Sequence, residues 1–202
     1  MIKKSNTKIV IDCETSGLNP NKHQIIEVCI ATLDEKNEIV DIWTSRVQFD
    51  YKRADQTALK INGYENDREL WNNAISQNAM AIELRNRIQG KTIIGHNVKF
   101  DMDFICELWR VQETSRPKYD YRFIDTVVLC HYHLDFLGMS LSLDTIRKFF
   151  GWSTDGSHTA TKDVHDTAKL YRKLMNAGRM IVTGKQTYQE NQDDSGTKRR
   201  YQ

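Results

Sequence analysis

Proline and glycine are scarce in this 202-residue chain, at 2 and 10 copies. Collagen-like and linker-rich chains need far more of both and are excluded. Charge of one sign is also missing, because 29 Lys and Arg against 27 Asp and Glu leave a formal charge of +2. A polybasic protein that coats nucleic acid by bulk charge is excluded with it, and any basic groove must be local. No apolar run approaches the ~20 residues that span a bilayer, so no membrane role is expected. Met1 to Lys8 carries Lys3 and Lys4 without an apolar stretch, and no secretory signal is expected. Cysteine is limited to Cys13, Cys29, Cys106 and Cys130, none in C-x-x-C spacing. A disulfide framework and a zinc site are both disfavoured, and the expected setting is a reducing cytoplasm. Cys130, His131 and His133 fall close together, but positions two apart on a helix do not share a face. They read as packing residues rather than ligands.

What is present is the composition of a folded globule: 39% hydrophobic and 28% charged, with 7 Phe, 8 Tyr and 4 Trp. One domain of about 100–200 residues is the simplest organisation. It is expected over residues 1–180. From 184 to 202 the chain is Gln, Asn, Asp, Lys and Arg with almost nothing apolar, a tail expected to stay disordered. Lys198-Arg199-Arg200 reads as a solvated end, with a nucleic-acid contact as the functional alternative.

Lys8 to Glu14 alternates as a strand, with Val10, Asp12 and Glu14 on one face and Ile9, Ile11 and Cys13 on the other. Ile25 to Leu33 and Ile39 to Val47 are two further strands, joined by the short polar run Asp34-Glu35-Lys36-Asn37. The pattern then becomes helical. Leu70, Ala74, Gln77, Ala81, Leu84 and Ile88 form one stripe, which Gly90 closes. Lys91 to Gly95 reads as a short strand, Phe100 to Val111 as helix, and Phe123 to Asp125 as a strand end. Thr126 to His133, Leu143 to Phe150, and Thr161 to Asn176 read as three more helices. Strands followed by helices alternating with short strands predict an α/β fold, a mixed sheet with helices on its faces.

Asp12 and Glu14 are two apart on a buried-looking strand, so both carboxylates leave one face. Side by side they repel and are costly to desolvate unless a cation lies between them. A hard divalent ion answers that need, since Mg²⁺ prefers carboxylate oxygens. The plainer reading is an exposed strand end with solvated acids. The surrounding residues favour the metal. Asp12-Cys13-Glu14-Thr15-Ser16-Gly17-Leu18, with Ile25-Ile26-Glu27-Val28 on the next strand, resembles the first motif of the DEDDh (DnaQ-like) 3′→5′ exonucleases. That family includes polymerase proofreading subunits and ribonuclease T. Ile94-Gly95-His96-Asn97-Val98-Lys99-Phe100-Asp101 resembles its second motif. His158-Thr159-Ala160-Thr161-Lys162-Asp163 resembles its third, with the histidine that marks the "h" subgroup. Asp103 and His165 do not fit the spacing. The resemblance spans about Lys8 to Leu174.

The resemblance implies a ribonuclease H-like fold, a mixed five-stranded sheet with its first strand central and helices on both faces. It implies that Asp12, Glu14, Asp101 and Asp163 hold two Mg²⁺, with Mn²⁺ able to substitute, and that Asp12 bridges them. Two ions about 3.5–4 Å apart clamp the attacking water and the leaving oxygen. His158 is then the base that takes the water's proton, a role open only to neutral imidazole. Gly156 and Ser157 suggest that the histidine sits on a mobile loop. Thr15, Gly17 and Leu18 are substrate candidates, the glycine giving the terminal sugar room and Leu18 wedging beneath its base. Asn62 lies in Ala58-Leu59-Lys60-Ile61-Asn62-Gly63, which resembles a segment that holds the terminal nucleotide. His96, Asn97 and Phe100 are candidates for the opposite wall, Phe100 as a stacking platform or as core. The implied substrate is a single-stranded DNA 3′ end, released as nucleoside 5′-monophosphates. An exoribonuclease is the nearest alternative, and an inactive nucleic-acid-binding module a remote one. Homodimer and polymerase subunit both stay open.

Overall fold

The structure, a computed structural model, describes residues 7–193, except for the side chains of residue 136 and residues 178–193. Five strands form one sheet: β1 (Lys8–Thr15), β2 (Ile25–Leu33), β3 (Ile39–Arg46), β4 (Thr92–Gly95) and β5 (Asp120–Asp125), in the order β3-β2-β1-β4-β5. The first three pair antiparallel, as the short polar connection between β2 and β3 allows, while β4 and β5 add in parallel. Strand β1 is therefore central. This is the mixed five-stranded, ribonuclease H-like arrangement that the motifs imply.

The alternation in β1 sorts its side chains into two cores. Ile9, Ile11 and Cys13 pack against Met80, Ala81, Leu84 and Ile88 of helix α2 (Gln77–Ile88) and against Met102, Phe104 and Ile105 of α3 (Val98–Val111). Val10, on the other face, joins Cys29, Ala31 and Ile94 against Ala160, Val164, Ala168 and Tyr171 of α6 (Ala160–Asp193). Strand β2 is covered on both faces and buried along almost its whole length. Truncating such a fully buried side chain as Ile11 to alanine costs about 2–5 kcal/mol. A third cluster ties Cys130 and Leu134 of α4 (Thr126–Leu134) to Leu143 and Ile146 of α5 (Leu143–Phe149) and to Leu170 and Leu174 of α6. Cys130 is packing, as its sequence context suggested.

Three helix boundaries differ from the sequence expectation by more than one residue. Helix α2 starts at Gln77, not Leu70, because Ser76 caps it by accepting the Ala79 N–H, and the chain before it turns through Asn72 and Asn73. Leu70 and Ala74 thus share the periodicity without sharing the helix. Helix α3 opens two residues early, at Val98, behind a left-handed Asn97. Helix α6 continues to Asp193, past the end of its apolar stripe, so the polar tail expected from 184 overlaps its last turns. Residues 194–202, with Lys198-Arg199-Arg200, lie outside the described residues, as do residues 1–6. A short helix, α1 (Gln56–Ile61), capped by Asp55, packs beside the end of β1. No described helix is long and apolar enough to cross a membrane.

Candidate active site

The cleft forms where β1 and β4 part. Their pairing ends at Val10↔Ile94, so β1 runs on towards Thr15 with one edge unpaired. The Cys13 N–H on that stretch donates instead to Asp101 Oδ1, at 2.8 Å, from the first turn of α3. Asp12 and Glu14 project from the opposite side of the strand to Cys13, towards α6. There Asp163, in the first turn of α6, meets them: one oxygen from each of the three lies within 4.8 Å of the others. Among the described residues no other group of acids, histidines or cysteines comes together in this way. Asp101 stands beside the trio. Asp103, two residues on, pairs with Lys99 at the surface, and His165 is exposed.

Burial and mutual repulsion favour the protonated forms of these acids, so a cation would find uncompensated oxygens here. Burial, followed by the repulsion of Asp101, Glu14 and Asp163, pushes Asp12 well above the usual carboxylate range, with Arg147 opposing. Burial and then Asp163, Glu27 and Asp101 push Glu14 up to about 8. Burial raises Asp101 to about 7 despite the Cys13 N–H, and raises Asp163 against the pull of Arg147. Glu27 adds to the crowding, because it lies opposite Glu14 on β2 and is itself buried, with Arg46 3.7 Å away. Such a donor set of hard oxygens fits a divalent ion of the magnesium or manganese type.

Around the acids, the residues expected to touch substrate divide in two. Gly17 has φ +152°, and a Cβ built there would meet the His23 ring at 2.5 Å, so only glycine lets this turn close. The loop is pinned at several points. Thr15 Oγ1 donates to the Gly17 carbonyl, Asn62 Nδ2 donates to the Thr15 carbonyl, and the Asp55 N–H donates to the Ser16 carbonyl. Leu18 is held out by this rigid loop with 81% of its surface exposed. Asn62 is buried, so its role here is to hold the loop. On the other side Asn97 is exposed, with φ +64° and its N–H donating to Asp125 Oδ1. His96 has both ring nitrogens taken: Nε2 lies 2.8 Å from the Leu141 carbonyl and Nδ1 2.9 Å from the Thr126 hydroxyl. Burial lowers its affinity for a proton, which keeps it a neutral structural link. Phe100 is half-buried against Phe104, their ring centroids 5.0 Å apart, at the edge of the core.

His158 lies just before α6 with φ +62° and its side chain 45% exposed; Nε2 is 3.5 Å from Asp144 Oδ2. Its ring meets Asp144, while its backbone N–H reaches Asp163 of the acid trio. Two residues here were not singled out from the sequence: Arg147, which binds Asp163, and Asp125, which fixes both Asn97 and the start of α4. The signal for Arg147 was legible. Leu143, Ile146, Arg147 and Phe150 fall at i, i+3, i+4 and i+7, which puts the arginine on the buried stripe of its helix.

Comparison with known proteins gives the family and the fold. The exonuclease family model (RNase_T) matches residues 9–171. A DNA polymerase III PolC-type of Thermotoga petrophila is 25% identical over 94% of this chain and 13% of its own length. Ribonuclease T of Buchnera aphidicola subsp. Baizongia pistaciae is 25% identical over 83% of each chain. Among solved structures, E. coli exonuclease I in complex with a dT13 oligonucleotide superposes with a TM-score of 0.73 at 16% identity. That match covers 89% of this chain and 43% of the other. The chain thus spans about an eighth of the polymerase and under half of exonuclease I.

Proposed function

The chain belongs to the exonuclease family, and from that membership we propose that its cleft hydrolyses the last phosphodiester of single-stranded DNA 3′ ends. The observation that carries this reading is the convergence of Asp12, Glu14 and Asp163 within 4.8 Å, with Asp101 beside them. Two Mg²⁺ held by these four carboxylates, with Mn²⁺ able to substitute, would supply the positive charge that activates water and stabilises the leaving oxygen. The acids position that charge, and their raised proton affinity marks how much they need it. Water adds to phosphorus, the P–O3′ bond breaks, and the terminal nucleotide leaves as its 5′-monophosphate. His158 would take the proton from water, and the departing 3′ oxygen would take a proton from solvent to end as a hydroxyl. To do so the histidine must turn from Asp144 towards the acids, a movement that its exposed position before α6 permits. Thr15 and Gly17 shape the seat of the terminal sugar, and Leu18 supports its base. Asn97 and the exposed edge of Phe100 line the facing wall.

The dT13 strand bound to exonuclease I supports DNA as substrate. The match to a ribonuclease T over 83% of each chain supports an exoribonuclease as the second reading. The likeness to a PolC-type polymerase supports a role beside a polymerase, with a homodimer as the alternative; the cytoplasm is the setting we propose for it. A gel time course with 5′-labelled DNA and RNA of one sequence, in Mg²⁺, decides among these reactions. A ladder shortening from the 3′ end, abolished by EDTA and by Asp12→Ala, is the expected result, with DNA the faster substrate. Faster RNA shortening would select the second reading. No cleavage of either, with Mn²⁺ also tried, would leave a binding module.

A further inference from the structure

Arg147 is 1% exposed, on the α5 face that also carries Leu143 and Ile146, and three carboxylates share its guanidinium. Nη1 donates to Asp144 Oδ1 at 2.8 Å, Nη2 to Asp163 Oδ1 at 2.6 Å, and Nε to Asp166 Oδ2 at 2.7 Å. A buried cation needs a partner, but one guanidinium with three acids has more pairing than its own neutralisation requires. Asp166 is also served by Lys162 Nζ, at 2.6 Å. The contact left to explain is the one to Asp163, which belongs to the acid trio of the cleft. A guanidinium is a rigid planar fork, and the bonds to Asp144 and Asp166 fix its plane. The third arm therefore occupies one chosen oxygen of Asp163 and holds that carboxylate in one orientation.

We propose that Arg147 sets which divalent ion the cleft accepts, by holding Asp163 Oδ1 and so opposing the use of both its oxygens on one ion. This rests on the metal-dependent reading above. Calcium takes six to eight oxygens and commonly engages a carboxylate through both of them, whereas magnesium is satisfied by one carboxylate oxygen and waters. Manganese shares that preference for carboxylate and water oxygens in an octahedral shell. With Arg147 on Oδ1, Asp163 suits the smaller ions and handicaps calcium. Arg147 is a positioning residue, since it acts on the ion through Asp163.

The test is a competition titration on the full chain, following free Mn²⁺ by electron paramagnetic resonance as Ca²⁺ is added. Wild type should take up Mn²⁺ and release it only at high Ca²⁺. In Arg147→Met, which fills the space without donors, the Ca²⁺:Mn²⁺ affinity ratio should rise about tenfold, the scale on which groups behind metal ligands act. A ratio that stays within about twofold of wild type overturns the proposal, because that scale is then not reached. If wild type takes up no Mn²⁺, the metal-dependent reading falls and the proposal falls with it. Should circular dichroism show Arg147→Met unfolded, Arg147→Lys carries the test. An ammonium cannot hold three carboxylates at once in a fixed plane, so the ratio should shift the same way by a few-fold. No shift there overturns the proposal equally.

Discussion

Asp12 and Glu14 reach the cleft from a strand, Asp101 and Asp163 from the first turns of helices, and the surrounding protein treats the two pairs differently. The helix pair is partnered: Asp101 accepts the Cys13 N–H, and Asp163 binds Arg147. Both also sit where the helix dipole favours an anion. For the strand pair, no hydrogen bond from a protein donor reaches either carboxylate among the described residues, and Glu14 faces Glu27 across the sheet. The contrast teaches which acids need outside charge. The helix acids are oriented by hydrogen bonds, while the strand acids are placed by β1 without a donor, Arg147 acting on Asp12 through its charge alone.

The sharpest way to break this contrast is to neutralise one acid of each kind. Asp12→Asn and Asp101→Asn should both reduce kcat by roughly a thousandfold, about 4 kcal/mol of lost charge stabilisation in the transition state. Their metal-free stabilities should separate. Asp12→Asn removes a repelling charge with no partner to lose and should raise Tm in EDTA at pH 8. Asp101→Asn keeps an oxygen for the Cys13 N–H but weakens a charge-assisted bond, so its Tm should rise less. Equal rises in thermal melts would show that Asp101 is no better compensated than Asp12.

Proton linkage is the next test. Folding shifts Glu14 from an ordinary 4.5 to about 8, and Asp101 from 3.8 to about 7. Between those values the folded chain binds more protons than the unfolded one, so stability falls as pH rises through the window. In EDTA, Tm should therefore drop by several degrees, about 2–4 °C for each kcal/mol in a chain of this size, between pH 5 and pH 8. Saturating Mg²⁺ should flatten that slope, because the ion satisfies the ionised acids. A Tm in EDTA that rises over this range would mean that Glu14 and Asp101 are already compensated within the protein.

Gly17→Ala should have a smaller effect. The added Cβ meets the His23 ring at 2.5 Å, at a φ that side-chain-bearing residues seldom adopt. The expected cost is about 1–3 kcal/mol. Pairing it with His23→Ala should recover the steric part and leave the backbone part, which a double-mutant cycle on denaturant midpoints resolves. Strict additivity would show that the ring is not what forces glycine here.

The same contrast explains what the sequence made legible. Strand acids announce themselves, because period-two alternation puts Asp12 and Glu14 together on an otherwise apolar strand. The five strands were legible from periodicity, while the central place of β1 and the two acids that open helices came through the family that three short motifs resemble. Hidden were the contacts that depend on how elements meet. Leu70 and Ala74 continue a stripe that Ser76 ends, since a cap overrides periodicity. His96 looked available for substrate until the fold placed Leu141 and Thr126 against its two nitrogens. Arg147 was readable as a buried position but not as the partner of Asp163, because sixteen residues and a loop separate the two.

Leu18 offers the smallest effect and the most specific one. Its side chain is 81% exposed although the residues before it are pinned to α1 and β2, so its burial contributes little to the folded chain. Leu18→Ala should leave Tm within about 1 °C of wild type, as is usual for exposed positions away from caps and cores. If the side chain supports the terminal base, it is buried only when substrate binds. Losing it should then raise KM for a single-stranded oligonucleotide about tenfold, the equivalent of burying most of a leucine. kcat should hardly change, because the interaction is made equally in the ground and transition states. A fall in kcat at constant KM would instead place Leu18 in the chemical step, and would mean the rigid loop aligns the scissile bond rather than merely seating the base.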